Sequence, residues 1–374
     1  MDGSSSDLTL MREKTVSITV SLKNSTSWVK LNANQEVPMR VYHSIQMLER
    51  LAEGIKSKSL SAIDRAALVN DAYALVKAGH QSPESLIRLL VNYAEEDEYI
   101  VWQGLADTLG GLYAIVSDSD ELCAMFESFA KGMVVNLMTK VGWEAQKTDG
   151  HLTTLLRGIM IGLISAFAYN DEAVVKEATT RFAAFQADPN DVQSLPSDIR
   201  TAVFSIILKN GGTKEYDAVK SYFYATDNNA EKKHVLSSIG SIADPKLKLA
   251  TMEWCVSGDI KLQDFFYAMG SVGRSKRVGR EIAWKFFQEN FMKIKGMIAN
   301  ASSSLMDACI VMCAGGFCTY EKADEIDAFF ASNPVPSSTR KIAQLTEGMR
   351  ANAKFLELIQ ASEVSSREFW ETVK

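Results

Sequence analysis

The chain has 374 residues, 47% of them apolar, and carries 40 basic against 46 acidic side chains, a net charge of −6. That length supports a large core, built as one long domain or two smaller ones. The charge balance excludes the concentrated basic surface that nucleic acid demands. The longest apolar run, Gly158 to Tyr169, has 12 residues, against the roughly 20 a membrane-spanning helix needs. Neither nucleic acid nor a membrane is expected as a partner.

The first residues, Met1-Asp-Gly-Ser-Ser-Ser-Asp, have no cationic start and no apolar stretch. Residues 1–11 are therefore expected to be a disordered lead-in rather than a signal peptide. Residues 12–36 carry the strand signal of the chain. Thr15-Val-Ser-Ile-Thr-Val-Ser-Leu alternates polar and apolar, Lys23-Asn-Ser-Thr-Ser has turn chemistry, and Trp28-Val-Lys-Leu resumes the alternation. Two strands are marginal alone. They are expected to join a sheet supplied elsewhere or to pack on the helices that follow.

Residues 37–374 are expected to be α-helical almost throughout, in segments of 10–18 residues with apolar positions three and four apart. Ser61-Ala-Ile-Asp64 opens a helix that stops at Gly79, and Ser82-Pro83 opens the next, with the proline at the first helical position. Ser194-Leu-Pro-Ser-Asp, Ala243-Asp-Pro and Asn333-Pro-Val-Pro-Ser mark later breaks. Beyond them the helices come in pairs: Arg200–Lys209 with Asp217–Ala225, Glu231–Ile239 with Lys246–Val256, and Gln263–Ser271 with Arg280–Phe291. That spacing predicts a mostly α fold, a HEAT- or armadillo-like superhelical solenoid of antiparallel helix pairs.

Catalytic motifs are missing. None of His43, His80, His151 and His234 is followed by Glu, so no H-E-x-x-H exists, and there is no G-x-S-x-G, P-loop or C-x-x-C. Cys309, Cys313 and Cys318 have no histidine nearby to complete a metal site. With Cys123 and Cys255 they read as reduced, buried thiols of a cytoplasmic protein. Asp149 beside His151, the acidic run Glu95–Glu98, and the basic stretch Arg274, Lys276, Arg277, Arg280 read as loops and solvated faces. The tryptophans fall at helical spacing and read as core. Gly158–Tyr169 reads as a buried core helix.

Four stretches then carry a resemblance. Leu60-Ser-Ala-Ile-Asp64-Arg65-Ala-Ala-Leu-Val-Asn-Asp71-Ala-Tyr73-Ala-Leu-Val-Lys-Ala-Gly79 is similar to L-S-x-x-D-R-x-x-L-x-x-D-x-F-x-L-x-x-A-G of the gluzincin zinc aminopeptidases. Val141-Gly142-Trp143, followed by Gly150-His151-Leu-Thr-Thr-Leu-Leu156-Arg157, resembles L-G-W…G-H-L-x-x-L-L-R of their puromycin-sensitive branch. Gly279-Arg280-Glu-Ile-Ala-Trp284-Lys-Phe286 and Glu325-Ile-Asp-Ala-Phe329-Phe-Ala-Ser-Asn-Pro334 resemble two further stretches.

The resemblance lies with the C-terminal helical domain of that family. It implies that residues 12–36 are the last strands of a β-sandwich and that residues 37–374 form a superhelical bowl. That bowl holds peptide and closes over it, facing a catalytic domain. The family's zinc belongs to that catalytic domain, whose H-E-x-x-H and G-x-M-E-N this chain lacks. No cofactor and no catalytic residue is therefore expected here. Implied partners are peptides and the catalytic and β-sandwich domains; the alternative is a stand-alone helical-repeat scaffold for a protein or peptide. By the same resemblance Arg40 is the candidate for a peptide carboxylate, with capping a helix or bridging the β-sandwich to the bowl as the alternative, and Asp64, Arg65 and Arg157 read as structural ion pairs.

Overall fold

The computed structural model describes residues 10, 12–22, 24, 26–189, 191 and 193–373; most of the expected lead-in lies outside them. Among the described residues the regular structure is helical, with no strand. Residues 15–22 take no secondary structure, and Val16, Ile18, Val20 and Leu22 are exposed. An alternating segment becomes a strand only when another strand accepts its backbone hydrogen bonds. None of the described residues does so.

The helices run α1 (Ile45–Lys56), α2 (Ala62–Lys77), α3 (Pro83–Leu90), α4 (Tyr99–Val116), α5 (Asp120–Val141) and α6 (His151–Phe167). They continue as α7 (Glu172–Ala187), α8 (Ser197–Asn210), α9 (Thr213–Ala225), α10 (Asn229–Ser238), α11 (Pro245–Cys255) and α12 (Phe265–Gly273). Last come α13 (Lys276–Glu289), α14 (Phe291–Met297), α15 (Ser303–Ala314), α16 (Tyr320–Ser332), α17 (Thr339–Gln360) and α18 (Arg367–Thr372).

Local chemistry sets these boundaries. The hydroxyls of Ser61, Ser82 and Ser119 and the carboxylate of Asp244 accept first-turn N–H groups that have no partner inside the helix. Pro83 and Pro245 follow two of these caps, where their missing N–H costs nothing. Beyond α2, Gly79 adopts φ 76°, a left-handed value that glycine takes without steric cost.

The packing has two layers. In one, α2 lies on α4, α4 on α6, α6 on α8, α8 on α10, α10 on α12, and α12 on α15. The other layer includes α5, α7, α9, α11 and α13, each packed against helices of the first, while α16 packs on α17. The layers hold one continuous core in which Trp102 and Trp284 are fully buried. The Trp102 indole N–H donates to the Glu96 carbonyl at 2.9 Å, and that of Trp284 to Glu325 Oε1 at 2.7 Å. Burial of such side chains stabilises the fold by about 2–3 kcal/mol each.

The chain then returns to its beginning. α17 packs on α4, α18 on α5, and the 3-10 turn Glu363–Ser365 on α3. Trp370 meets Phe126 edge to face at 6.3 Å, and the Glu363 N–H donates to Glu84 Oε1 at 2.8 Å. Helices far apart in sequence are thereby tied together.

Candidate functional site

Two places gather polar chemistry: the junction where the chain enters the helical body, and the carboxyl ends of α4, α6 and α8.

At the junction, α2 presents Asp64 and Asp71, seven residues apart and so on one helix face. Each takes one backbone N–H and one cation from the incoming segment. Asp64 accepts from the Asn34 N–H at 2.8 Å and pairs with Lys30 at 3.0 Å. Asp71 accepts from the Val41 N–H at 3.1 Å and pairs with Arg40 Nη1 at 3.1 Å. Arg40 therefore has a structural partner, yet its side chain is 59% exposed, leaving donors of the guanidinium free. Arg65 grips Glu96 through two parallel bonds of 2.6 and 2.9 Å, both side chains buried, joining α2 to the loop before α4. Arg157 reaches back from α6 to Asp149 at 2.7 Å and to the carbonyls of Val141 and Gly142.

The second place lies where the last turns of α4, α6 and α8 come together beside the start of α13. Glu127 of α5 accepts from the Tyr113 hydroxyl at 3.0 Å and pairs with Lys276 at 2.9 Å. Lys276 also donates to the Tyr169 hydroxyl at 3.4 Å. Lys209, in the last turn of α8, donates to the Ser165 carbonyl at 2.6 Å and sits 4.4 Å from the centre of the Tyr169 ring. Cations belong here, since helix carboxyl ends carry partial negative charge. Lys276 and Glu127 neutralise each other. Among the described residues, no carboxylate lies within ion-pair distance of Lys209.

Protonation follows that arrangement. Burial lowers the Lys209 pKa to about 8, Glu127 only partly opposing it. Burial lowers Lys248 of α11 to about 7, with the Lys209 charge adding to the effect. Lys248 donates instead to the Gly240 carbonyl and Ser275 Oγ, each at 2.7 Å. Burial also opposes the Lys276 charge, but the hydrogen bond and field of Glu127 outweigh it and raise that pKa. Lys209 is thus held by a carbonyl and an aromatic ring, with no carboxylate in ion-pair contact among the described residues.

A solvent-facing stripe leads to it. Gln103, Asp107, Gly110 and Ala114 are exposed along α4, as are His151, Leu155, Gly158 and Gly162 along α6. A Cβ added at Gly110, Gly158 or Gly162 would meet nothing within 4 Å. The apolar run in α6 is thus buried on one side only, unlike the core helix its composition suggests. On α8 the half-buried Thr201, Ser205 and Lys209 continue the stripe at four-residue steps.

Other sequence candidates serve the fold. Glu95 pairs with Lys140 and Asp97 with Lys58, while Glu96 is buried against Arg65. His151 is exposed at the start of α6. In the basic stretch Arg280 is buried, while the exposed Lys276 reaches Glu127 and the exposed Arg277 reaches Asp120. The five cysteines are free and buried. Burial pushes the Cys123 thiol up to about 11 and Cys309 and Cys318 up to about 12, keeping them protonated and unreactive at neutral pH.

One hydroxyl–imidazole contact imitates a catalytic dyad: Ser197 Oγ lies 3.0 Å from His234 Nε2. Thr201 Oγ1 is 2.8 Å from Nδ1, and Ser197 donates to Glu231 at 3.1 Å. All four groups are satisfied when Thr201 donates to Nδ1 and the Nε2–H donates to Ser197. The imidazole then cannot accept the serine proton. Glu231 is paired with Arg200, and the network ties α8 to α10.

Among the described residues, no group of three His, Cys, Asp or Glu side chains could hold a metal ion. Nor is any single helix among them long and apolar enough to cross a membrane.

Comparisons with known proteins agree on a family. Residues 28–351 match the family described as ERAP1-like C-terminal domain. Aminopeptidase M1 of Arabidopsis thaliana is 30% identical over 343 residues, which cover 91% of this chain and 38% of that protein. Aminopeptidase M1-A of Oryza sativa subsp. japonica is 29% identical with the same coverage. The puromycin-sensitive aminopeptidase of Caenorhabditis elegans is 25% identical, over 93% of this chain and 37% of that protein. The chain spans well under half the length of these curated relatives, matching them in their C-terminal part.

Proposed function

Because the chain belongs to the ERAP1-like C-terminal domain family, we propose that it is the non-catalytic wall of an aminopeptidase substrate cavity, holding peptide for a zinc-bearing catalytic domain. In this reading the paired helices form a HEAT-like superhelix, with the exposed stripe of α4, α6 and α8 on its concave side. Residues 12–36 complete a β-sandwich that the rest of the enzyme supplies. The partners are peptides and those two domains, the setting is cytoplasmic, and the role of the whole enzyme is peptide catabolism. A wall of this kind accelerates hydrolysis indirectly, by positioning the peptide and excluding water.

The observation that supports it most is the Lys209 ammonium, with no carboxylate in contact among the described residues, at the end of a solvent-facing stripe. A single carboxylate, such as the C-terminal end of a peptide, would neutralise it. Arg40 offers a second carboxylate contact through the donors that Asp71 leaves free.

Fluorescence anisotropy with one labelled peptide, carrying a free or an amidated C-terminus, tests this. The free acid is expected to bind about tenfold tighter, a difference of about 1.4 kcal/mol. Lys209→Met should erase the difference if Lys209 is the anchor, and Arg40→Ala if Arg40 is. Equal binding of acid and amide would remove the carboxylate from the reading.

The exposed Val16, Ile18, Val20 and Leu22 also suit a stand-alone scaffold that covers this edge with a protein partner. Adding a purified catalytic-domain fragment separates the two readings. A cavity wall restores peptide turnover to the fragment, whereas a scaffold leaves it unchanged.

A further inference from the structure

The junction contains a titratable group that neither fold nor function has yet used. His43 is buried, and its Nε2 has no hydrogen-bond partner. It lies two residues beyond Val41, whose N–H is held by Asp71, and one residue before Ser44, the cap of α1. The charged groups acting on its ring are Lys30 from the segment and Asp71 from α2, and the first turn of α1 holds no acidic residue.

The charges around it are already balanced. Lys30 pairs with Asp64 and Arg40 with Asp71, two cations against two carboxylates. An imidazolium would add a third cation, bury an N–H with no acceptor, and stand at the positive end of α1. Burial, and then the Lys30 charge, accordingly lower the pKa of His43, with Asp71 only partly opposing them.

We propose that His43 is an acid-sensitive latch, whose protonation releases residues 30–43 from α2 while the helical body stays folded. Opening lets water reach the ring and separates it from Lys30, so the proton enters the open form preferentially. The sign follows from linkage. A folded-state pKa below the ordinary 6.5 means that the junction is fully stable above that value. Its stability falls as pH drops from there toward the lowered pKa.

Amide exchange on the full chain, expressed as protection factors at about pH 7.5 and about pH 5.5, tests the latch. In the wild type, protection of residues 30–43 should fall about tenfold, because about pH 5.5 lies about one unit below the ordinary 6.5 of the opened ring, while α4, α6 and α8 stay unchanged. His43→Phe keeps a buried ring without a proton to gain, and should show no such fall. Asp71→Asn should loosen the segment at both pH values. The latch is refuted if the wild type protects this segment equally at both pH values, or if His43→Phe loses protection as the wild type does. Should the phenylalanine variant misfold, His43→Gln takes its place, and the wild-type comparison decides by itself whether any latch exists.

Discussion

Arg277 and Arg280 lie one helical turn apart on α13, and both reach the corner between α4 and α5, where they pair with Asp120 and Asp118. They differ in burial. The Arg280 side chain is 5% exposed and that of Arg277 53%. Arg280 donates to the Gly316 carbonyl at 2.6 Å, to the Ser117 carbonyl at 3.0 Å and to Ser117 Oγ at 3.3 Å. It thereby fastens α13 and the loop after α15 to the first third of the chain.

Arg280→Ala strands two carbonyls and leaves Asp118 without its buried partner. Removing one member of a buried charged pair costs about 3–5 kcal/mol, close to about 3–6 kcal/mol for two hydrogen bonds to a charged group at about 1.5–3 kcal/mol each. Against a total stability of about 5–15 kcal/mol, this loss is large. Arg277→Ala removes only an exposed pair and should change stability by less than about 1 kcal/mol. Urea unfolding followed by circular dichroism reads both, the midpoint falling steeply for Arg280→Ala and hardly at all for Arg277→Ala. Arg280→Met, which fills the space without a charge, should fall between them. Equal midpoints for the two alanine variants would refute the idea that burial of this contact fastens α13 to the corner between α4 and α5.

Glycine substitutions should divide by surroundings. Gly240→Ala places its Cβ 2.3 Å from the Val272 nitrogen and 2.4 Å from the Ser271 carbonyl carbon, both backbone, and should cost about 1–3 kcal/mol or more by thermal melting. Gly162→Ala, in open space inside α6, should instead stabilise by up to about 1 kcal/mol. Stability should also rise with pH between about 7 and 10.5. Lys248 and Lys209 titrate at about 7 and about 8 in the fold, against an ordinary 10.5, so the cost of burying their charge is fully present below these values and fades above them. Lys276, with a raised pKa, turns the trend downward above 10.5. Lys209→Met and Lys248→Met together should flatten the rise in urea midpoints measured across this range. Peptide binding through Lys209 should weaken as pH rises through about 8, because the ammonium is then lost.

Much of the fold was legible because helix boundaries depend on neighbours in sequence. Ser61, Ser82, Pro83, Asp244 and Gly79 act within one turn of their own position, and each stands where its chemistry places it. The apolar spacing likewise identified the helices from α8 to α13 to within a few residues. The strand pattern of residues 15–22 did not become a strand here, since pairing needs a second segment that local pattern cannot supply.

The candidate site was hidden for the same reason. Tyr113, Glu127, Tyr169, Lys209 and Lys276 belong to five separate stretches and share no motif, and only the convergence of helix ends makes them neighbours. Lys209 in sequence is one lysine at the end of one helix. The sequence by itself determined helix content, caps, breaks and the lack of catalytic motifs, all of which rest on short-range geometry and residue type. Tertiary structure decided that Arg280 is buried and Arg277 exposed, which glycines face open space, and that Lys209 sits among helix ends without a carboxylate in contact, because burial and electrostatic fields depend on distances through space.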